Sequence, residues 1–207
     1  MKDREQAASV AIIGGADGPT SIFMTGKGGK KPLKLRLRDC LHKQKRGRAE
    51  KKITAGGHTL EEVAAYAQRN YGAAEANKDQ NACSEQRNAL KESLLLRHKP
   101  ELLGIADEAA MIAFFRQPDR SKRIEEIPDS EMPMDFHIYE ITIGDDRLEM
   151  EIDYVWNVFS VSCSGSKKAM KQFKKILREL YVYYGVSEKD IAEKTERYLC
   201  LLSVLSS

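Results

Sequence analysis

From residue 59 to 117 apolar residues recur every three or four positions, the spacing of helices with one buried face, whereas from 136 to 163 they recur every second position, as half-buried strands do. Thr59 and Glu62 form an S/T-x-x-E capping box, Leu60, Val63, Ala64, Ala67 and Tyr71 repeat at helical spacing, and Gly72 is placed to end that helix. A second helix is predicted over residues 79 to 98, with Cys83, Leu90 and Leu94 on one face and Pro100 as its stop, and a third over 106 to 117 before Pro118. Pro118, Pro128 and Pro133 make 118 to 134 a linker.

Three strands follow, read from FHIYEITIG, RLEMEIDYV and VFSVSC. In the second, Leu148, Met150, Ile152 and Tyr154 alternate with Arg147, Glu149, Glu151 and Asp153, which assigns those four polar residues to a wet face. Gly144-Asp145-Asp146 supplies a tight turn. Ser166 caps a helix with the stripe Met170, Phe173, Leu177, Leu180, Tyr184 that ends at Gly185, and Ser187 caps a last helix with Ile191, Tyr198, Leu199 and Leu202 inward. Trp156 and the tyrosines of these helices are expected in the core. The fold class is α+β: a small antiparallel three-stranded sheet with helices packed on one face, preceded by a basic, mobile N-terminal arm. The domain division is 1–57 for the arm and 58–207 for the globular body, with helices in 59–117, the linker 118–134, then the sheet and two helices in 135–203.

Charge changes the picture at the arm. Residues 27 to 52 hold twelve Lys or Arg and two acids, a net +10, so the rest of a chain whose total is +3 carries −7. Leu33, Leu35 and Leu37 alternate with Lys34, Arg36 and Arg38 in a strand-like way, but the segment has little to bury. Lys34, Arg36, Arg38, Lys43, Lys45, Arg46 and Arg48 are candidate contacts for a phosphate backbone. No aromatic residue lies between Phe23 and Tyr66, so no base stacking is offered and nucleic-acid binding would be unspecific. The competing reading is a solvated linker, or an arm folded onto the acidic remainder.

Ahead of that run, SVAIIGGADGPTSIFMTGKGG poses a chemical question. The Walker pattern fails, because Ser21 occupies the first glycine position and Gly28 stands where a hydroxyl must follow the lysine. The run GGADGPT, residues 14 to 20, resembles a motif of the β subunit of sodium-ion-translocating, biotin-dependent decarboxylases, which act on oxaloacetate, methylmalonyl-CoA or glutaconyl-CoA. The match covers residues 9 to 27, and the whole chain looks like small bacterial proteins that carry the motif. The resemblance implies that Asp17 binds sodium and couples its movement to decarboxylation, with Gly14, Gly15, Gly18, Thr20 and Ser21 supplying the surrounding irregular backbone and oxygen ligands. Taken without the resemblance, residues 10 to 13 form a strand, Asp17-Gly18 a turn, and Pro19 the start of a short helix.

The remaining chemistry is sparse. Cys40, Cys83, Cys163 and Cys200 form no C-x-x-C pair and read as reduced thiols, and His42, His58, His98 and His137 have no metal-ligand spacing. No window has the ~20 consecutive apolar residues of a membrane span, and Asp3, Glu5 and the early glycines break the pattern of a secretory leader. The expectation is a soluble, cytoplasmic, non-catalytic accessory or binding protein with a protein partner, decarboxylase subunits included, and no cofactor beyond sodium at Asp17. The alternatives are a working component of a sodium-translocating decarboxylase, a carboxy-lyase, and a basic-arm nucleic-acid or ribosome binder.

Overall fold

A computed structural model describes residues 9–13, 21–25, 33–77 and 81–206. The chain runs β1 (Ser9–Ile13), β2 (Ser21–Thr25), α1 (Leu33–Glu50), β3 (Gly56–Gly57), α2 (Leu60–Tyr71), β4 (Ala74–Glu75), α3 (Asn81–His98), a 3-10 turn (Pro100–Leu103), α4 (Glu108–Phe115), α5 (Arg120–Glu126), β5 (Phe136–Ile143), β6 (Asp146–Asp153), β7 (Val158–Ser164), α6 (Lys167–Tyr184), β8 (Gly185–Val186), α7 (Glu188–Glu193) and α8 (Glu196–Ser206).

The class is α+β, but the main sheet has four strands rather than three, in the antiparallel order β4-β5-β6-β7. The added strand is two residues long, Ala74 and Glu75 against Glu140 and Tyr139, too short to carry any period. Two further two-stranded pairings, β1-β2 and β3-β8, lie apart from it. The β5-β6 turn closes with Ile143 opposite Asp146 and Gly144 at φ 63, the left-handed geometry that tight hairpins require.

Three apolar clusters hold the body. In the first, α2 and α6 cover one sheet face, where Leu60, Val63 and Ala67 meet Ile141, Leu148, Met150, Ile152 and Phe173. The expected caps are in place: Thr59 and Glu62 bond reciprocally, Ser166 accepts from Ala169 N, and Gly72 is left-handed. In the second, α3, α4 and α5 converge on Leu95, Leu103, Phe114 and Ile124. Residues 118–134, read as a linker, thus contain α5, whose one apolar anchor gives no periodicity to detect. Lys91 of α3 is buried there as well, its Nζ donating to Ile127 O at 2.5 Å.

The second sheet face is not simply wet, and helices are not confined to one side. Gln86 of α3 donates to Glu149 at 2.9 Å, and Cys83 and Arg87 of the same helix border a cavity with Phe136 and Ile138. Glu149 and Glu151 are half-buried; burial, then the neighbouring Glu149 charge, pushes Glu151 upward in pKa. Asp153 is fully buried, with Oδ1 accepting from Trp156 N at 2.8 Å and Oδ2 without a hydrogen-bond partner among the described residues. Burial raises its pKa against the opposing pull of backbone donors. The folded chain therefore holds this proton more tightly than the unfolded chain, and stability falls as pH rises from the ordinary aspartate range through the raised value. Asp153→Asn, which keeps the Oδ1 acceptor, is expected to be about 1 kcal/mol more stable than the parent at neutral pH and to lose that advantage in acid. Thermal melts of the two proteins across that range give the check; equal slopes would refute it.

The third cluster corrects the mobile arm. Residues 33–50 are the helix α1, and Ala49 is buried against Tyr198, Leu201 and Leu202 of α8. The segment LKLRLRDCLHKQKRGRAE has no β-branched residue and is dominated by strong helix formers, so its two-residue alternation misleads. The last helix is in turn two. Asp190 receives Ser187 N at 2.8 Å and Thr195 Oγ1 at 2.7 Å, and Lys194 turns left-handed between α7 and α8. The break resets the helical phase, which leaves Leu199 44% exposed and turns Leu201 inward.

Gly185 joins these layers. It sits at φ 59, and a Cβ there would lie 2.0 Å from Gly56 O, so β3 and β8 can approach only through a glycine.

Candidate polyanion interface

Lys34, Arg36, Arg38, Lys43, Lys45, Arg46 and Arg48 all lie on α1. From residue 34 to 48 the helix rises about 21 Å, a length over which a nucleic-acid duplex carries about 12 phosphates. Docking fixes this helix from its C-terminal end: Ala49 enters the third cluster, and Tyr198 Oη donates to Glu50 at 3.0 Å. Burial, and then the Glu50 carboxylate, pushes the Tyr198 hydroxyl upward in pKa.

Lys43, Lys45, Arg46, Arg48, Lys51 and Lys52 are all exposed, and among the described residues none forms an ion pair. Arg48, Lys51 and Lys52 cluster at the C-terminal end of α1, where the helix dipole favours cations. Within residues 43–52 the segment is therefore docked to the body through Ala49 and Glu50 and not through its cations. Lys51 and Lys52 were missing from the candidate contacts although the same charge run contains them; the docking residues Ala49, Glu50 and Tyr198 carry no local signal of their pairing.

Asp17, Gly14, Gly15, Gly18 and Thr20 lie outside the described residues. Ser21 is the first residue of β2, paired with Ile13 of β1, so residues 10–13 are strand as expected, while 21–25 are strand and not helix. The acidic residues of β6 do not assemble into a ligand set: among the described residues no group of three or more His, Cys, Asp or Glu is placed to hold a metal ion. His137 bridges β4 and β5 instead, with Nδ1 2.6 Å from Glu75 Oε1 and Nε2 2.9 Å from Asp135 Oδ1. His58 Nδ1–H donates to Tyr183 O at 2.7 Å, and its ring stacks 3.7 Å from that of Tyr183. Among the described residues Cys40, Cys83, Cys163 and Cys200 form no disulfide. Trp156 is half-buried, its indole N–H donating to Pro133 O at 2.7 Å.

Among the described residues no helix is long and apolar enough to cross a membrane. No protein-family model matches the chain, and no curated protein or solved structure matches it.

Proposed function

We propose that the chain is a binding protein that presents α1 to the phosphate backbone of a nucleic acid. The observation that carries this reading is the set of six exposed cations within residues 43–52, none in an ion pair among the described residues, on a helix docked to the body. Unpaired cations on a fixed helix release condensed counterions from a polyanion, which drives association without reading sequence. The net −7 of the remaining chain repels phosphate and confines contact to the basic segment. The test is binding to an unspecific duplex compared with anionic vesicles of phosphatidylserine and phosphatidylcholine. Retention by the duplex alone supports the reading; retention by vesicles alone overturns it.

The motif at residues 14–20 supports a second reading, in which the chain is an accessory protein or component of a sodium-translocating decarboxylase and Asp17 binds the ion. Saturating sodium should then raise the melting temperature, potassium at equal ionic strength should not, and Asp17→Asn should abolish the shift. Equal shifts in the two salts would remove this reading and leave the first untouched.

A further inference from the structure

We infer that the cleft where the three apolar clusters meet is a binding site for a small organic anion made of one ring and a carboxylate, with Arg197 as the carboxylate's partner. This inference does not rest on α1. The cleft has an inner chamber of about 130 Å³ walled by Leu90 and Leu94 of α3, Trp156, Phe159 of β7, Tyr184 of α6 and Cys200 of α8. An apolar cavity of about 150 Å³ accepts a benzene molecule, so this chamber suits a single six-membered ring. A wider outer chamber of about 310 Å³ is bordered by His58, Glu61, Tyr154 and Ser187, so a bound carboxylate must sit on the Arg197 side, away from Glu61. Asn157 and Arg197 line both chambers, and the ring-binding and open, polar parts therefore share their boundary residues. Asn157 reaches that boundary from the β6-β7 turn with φ 53, a left-handed conformation that asparagine tolerates better than most side chains.

Arg197 is held chiefly by main-chain carbonyls, with the Asp190 carboxylate close enough to feel its charge but not in an ion pair with it. Its Nε donates to Gly185 O at 2.8 Å, and Nη2 donates to His58 O at 3.1 Å and to Tyr184 O. The guanidinium carbon lies 3.6 Å from the centroid of the Tyr184 ring. Among the described residues no carboxylate pairs with Arg197, and Nη1 has no hydrogen-bond partner. The other charged pair at the inner chamber, Arg97 and Glu196, closes on itself at 2.9 Å. A planar cation fixed by three carbonyls and a ring cannot swing into solvent, so its remaining N–H groups keep one direction, and little ordering is left for a bound carboxylate to induce. The close glycine contacts serve the same end: a Cβ at Gly57 would lie 2.7 Å from Arg197 Nη2.

Trp156 is the only tryptophan in the chain, so its fluorescence reports on the inner chamber directly. The full-length protein is titrated with phenylacetate, with the neutral phenylacetamide and with the cationic phenethylamine. Phenylacetate is expected to give a saturable change with Kd between about 10 µM and 1 mM, and the amide should bind about tenfold more weakly or worse. Cys200→Phe fills the chamber, and Arg197→Gln removes the cation; each is expected to abolish the phenylacetate response in protein that still melts cooperatively. Should one variant fail to fold, the other and the ligand series carry the test. Absence of a saturable response to phenylacetate up to about 10 mM, equal affinity for acid and amide, or undiminished binding by a folded variant would overturn the inference.

Discussion

Replacing Lys43, Lys45, Arg46 and Arg48 together by glutamine is expected to weaken binding to an unspecific duplex at low salt on the order of 10³-fold, while the melting temperature stays where it was. The four side chains are exposed and, among the described residues, in no ion pair, so their removal breaks no salt bridge. Glutamine also matches lysine and arginine as a helix former. Each lost phosphate contact contributes about 1 kcal/mol and about 0.9 units of salt slope, so the variant's salt dependence should be shallower by between 3 and 4 units, roughly the sum of four such contacts. A loss of binding accompanied by unfolding would mean that the cations hold α1 in place rather than meet a ligand.

The second large effect is on the fold. Gly185→Ala is expected to destabilise the chain by about 3 kcal/mol or more, because a methyl group would lie 2.0 Å from Gly56 O and 3.0 Å from Gly57 Cα at a backbone φ of 59. The natural control is Gly144→Ala in the β5-β6 turn, at φ 63 with nothing within 4 Å of the added carbon. That substitution meets only the left-handed penalty, about 1 kcal/mol. The difference between the two in denaturant melts isolates the close approach of β3 and β8. Similar costs would show that the two strands do not meet as described. Because Arg197 bonds to Gly185 O and Tyr184 O, Gly185→Ala should also disturb the cleft.

Features set by neighbouring residues were readable in the sequence. Thr59 with Glu62, Ser166, Ser187 and Gly72 announce helix ends because a cap is satisfied within four residues of itself. The β5-β6 hairpin was equally legible, since its alternation and its glycine turn are local. Features settled by distant partners were not. Ala49 becomes a core residue only because Tyr198 and Leu202 of α8 arrive beside it, and a segment judged by its own apolar content then reads as an arm. Asp153 follows the polar positions of its strand and yet is fully buried, because the β6-β7 turn folds Trp156 N onto it. The candidate interface divides in the same way: its cations were countable from the chain, whereas their fixed presentation depends on how α1 docks. Arg197 stood out in no motif, since its three acceptors are carbonyls contributed by residues 58, 184 and 185.

The most direct test of the polyanion reading is the affinity of the full-length protein for an unspecific duplex as salt is raised from about 50 to 200 mM. Six phosphate contacts by Lys43, Lys45, Arg46, Arg48, Lys51 and Lys52 predict a slope of log affinity against log salt of about −5, and a fall on the order of 10³ across that range. A slope shallower than about −1, or binding that does not weaken with salt, would contradict the assignment of α1 as a phosphate-binding surface.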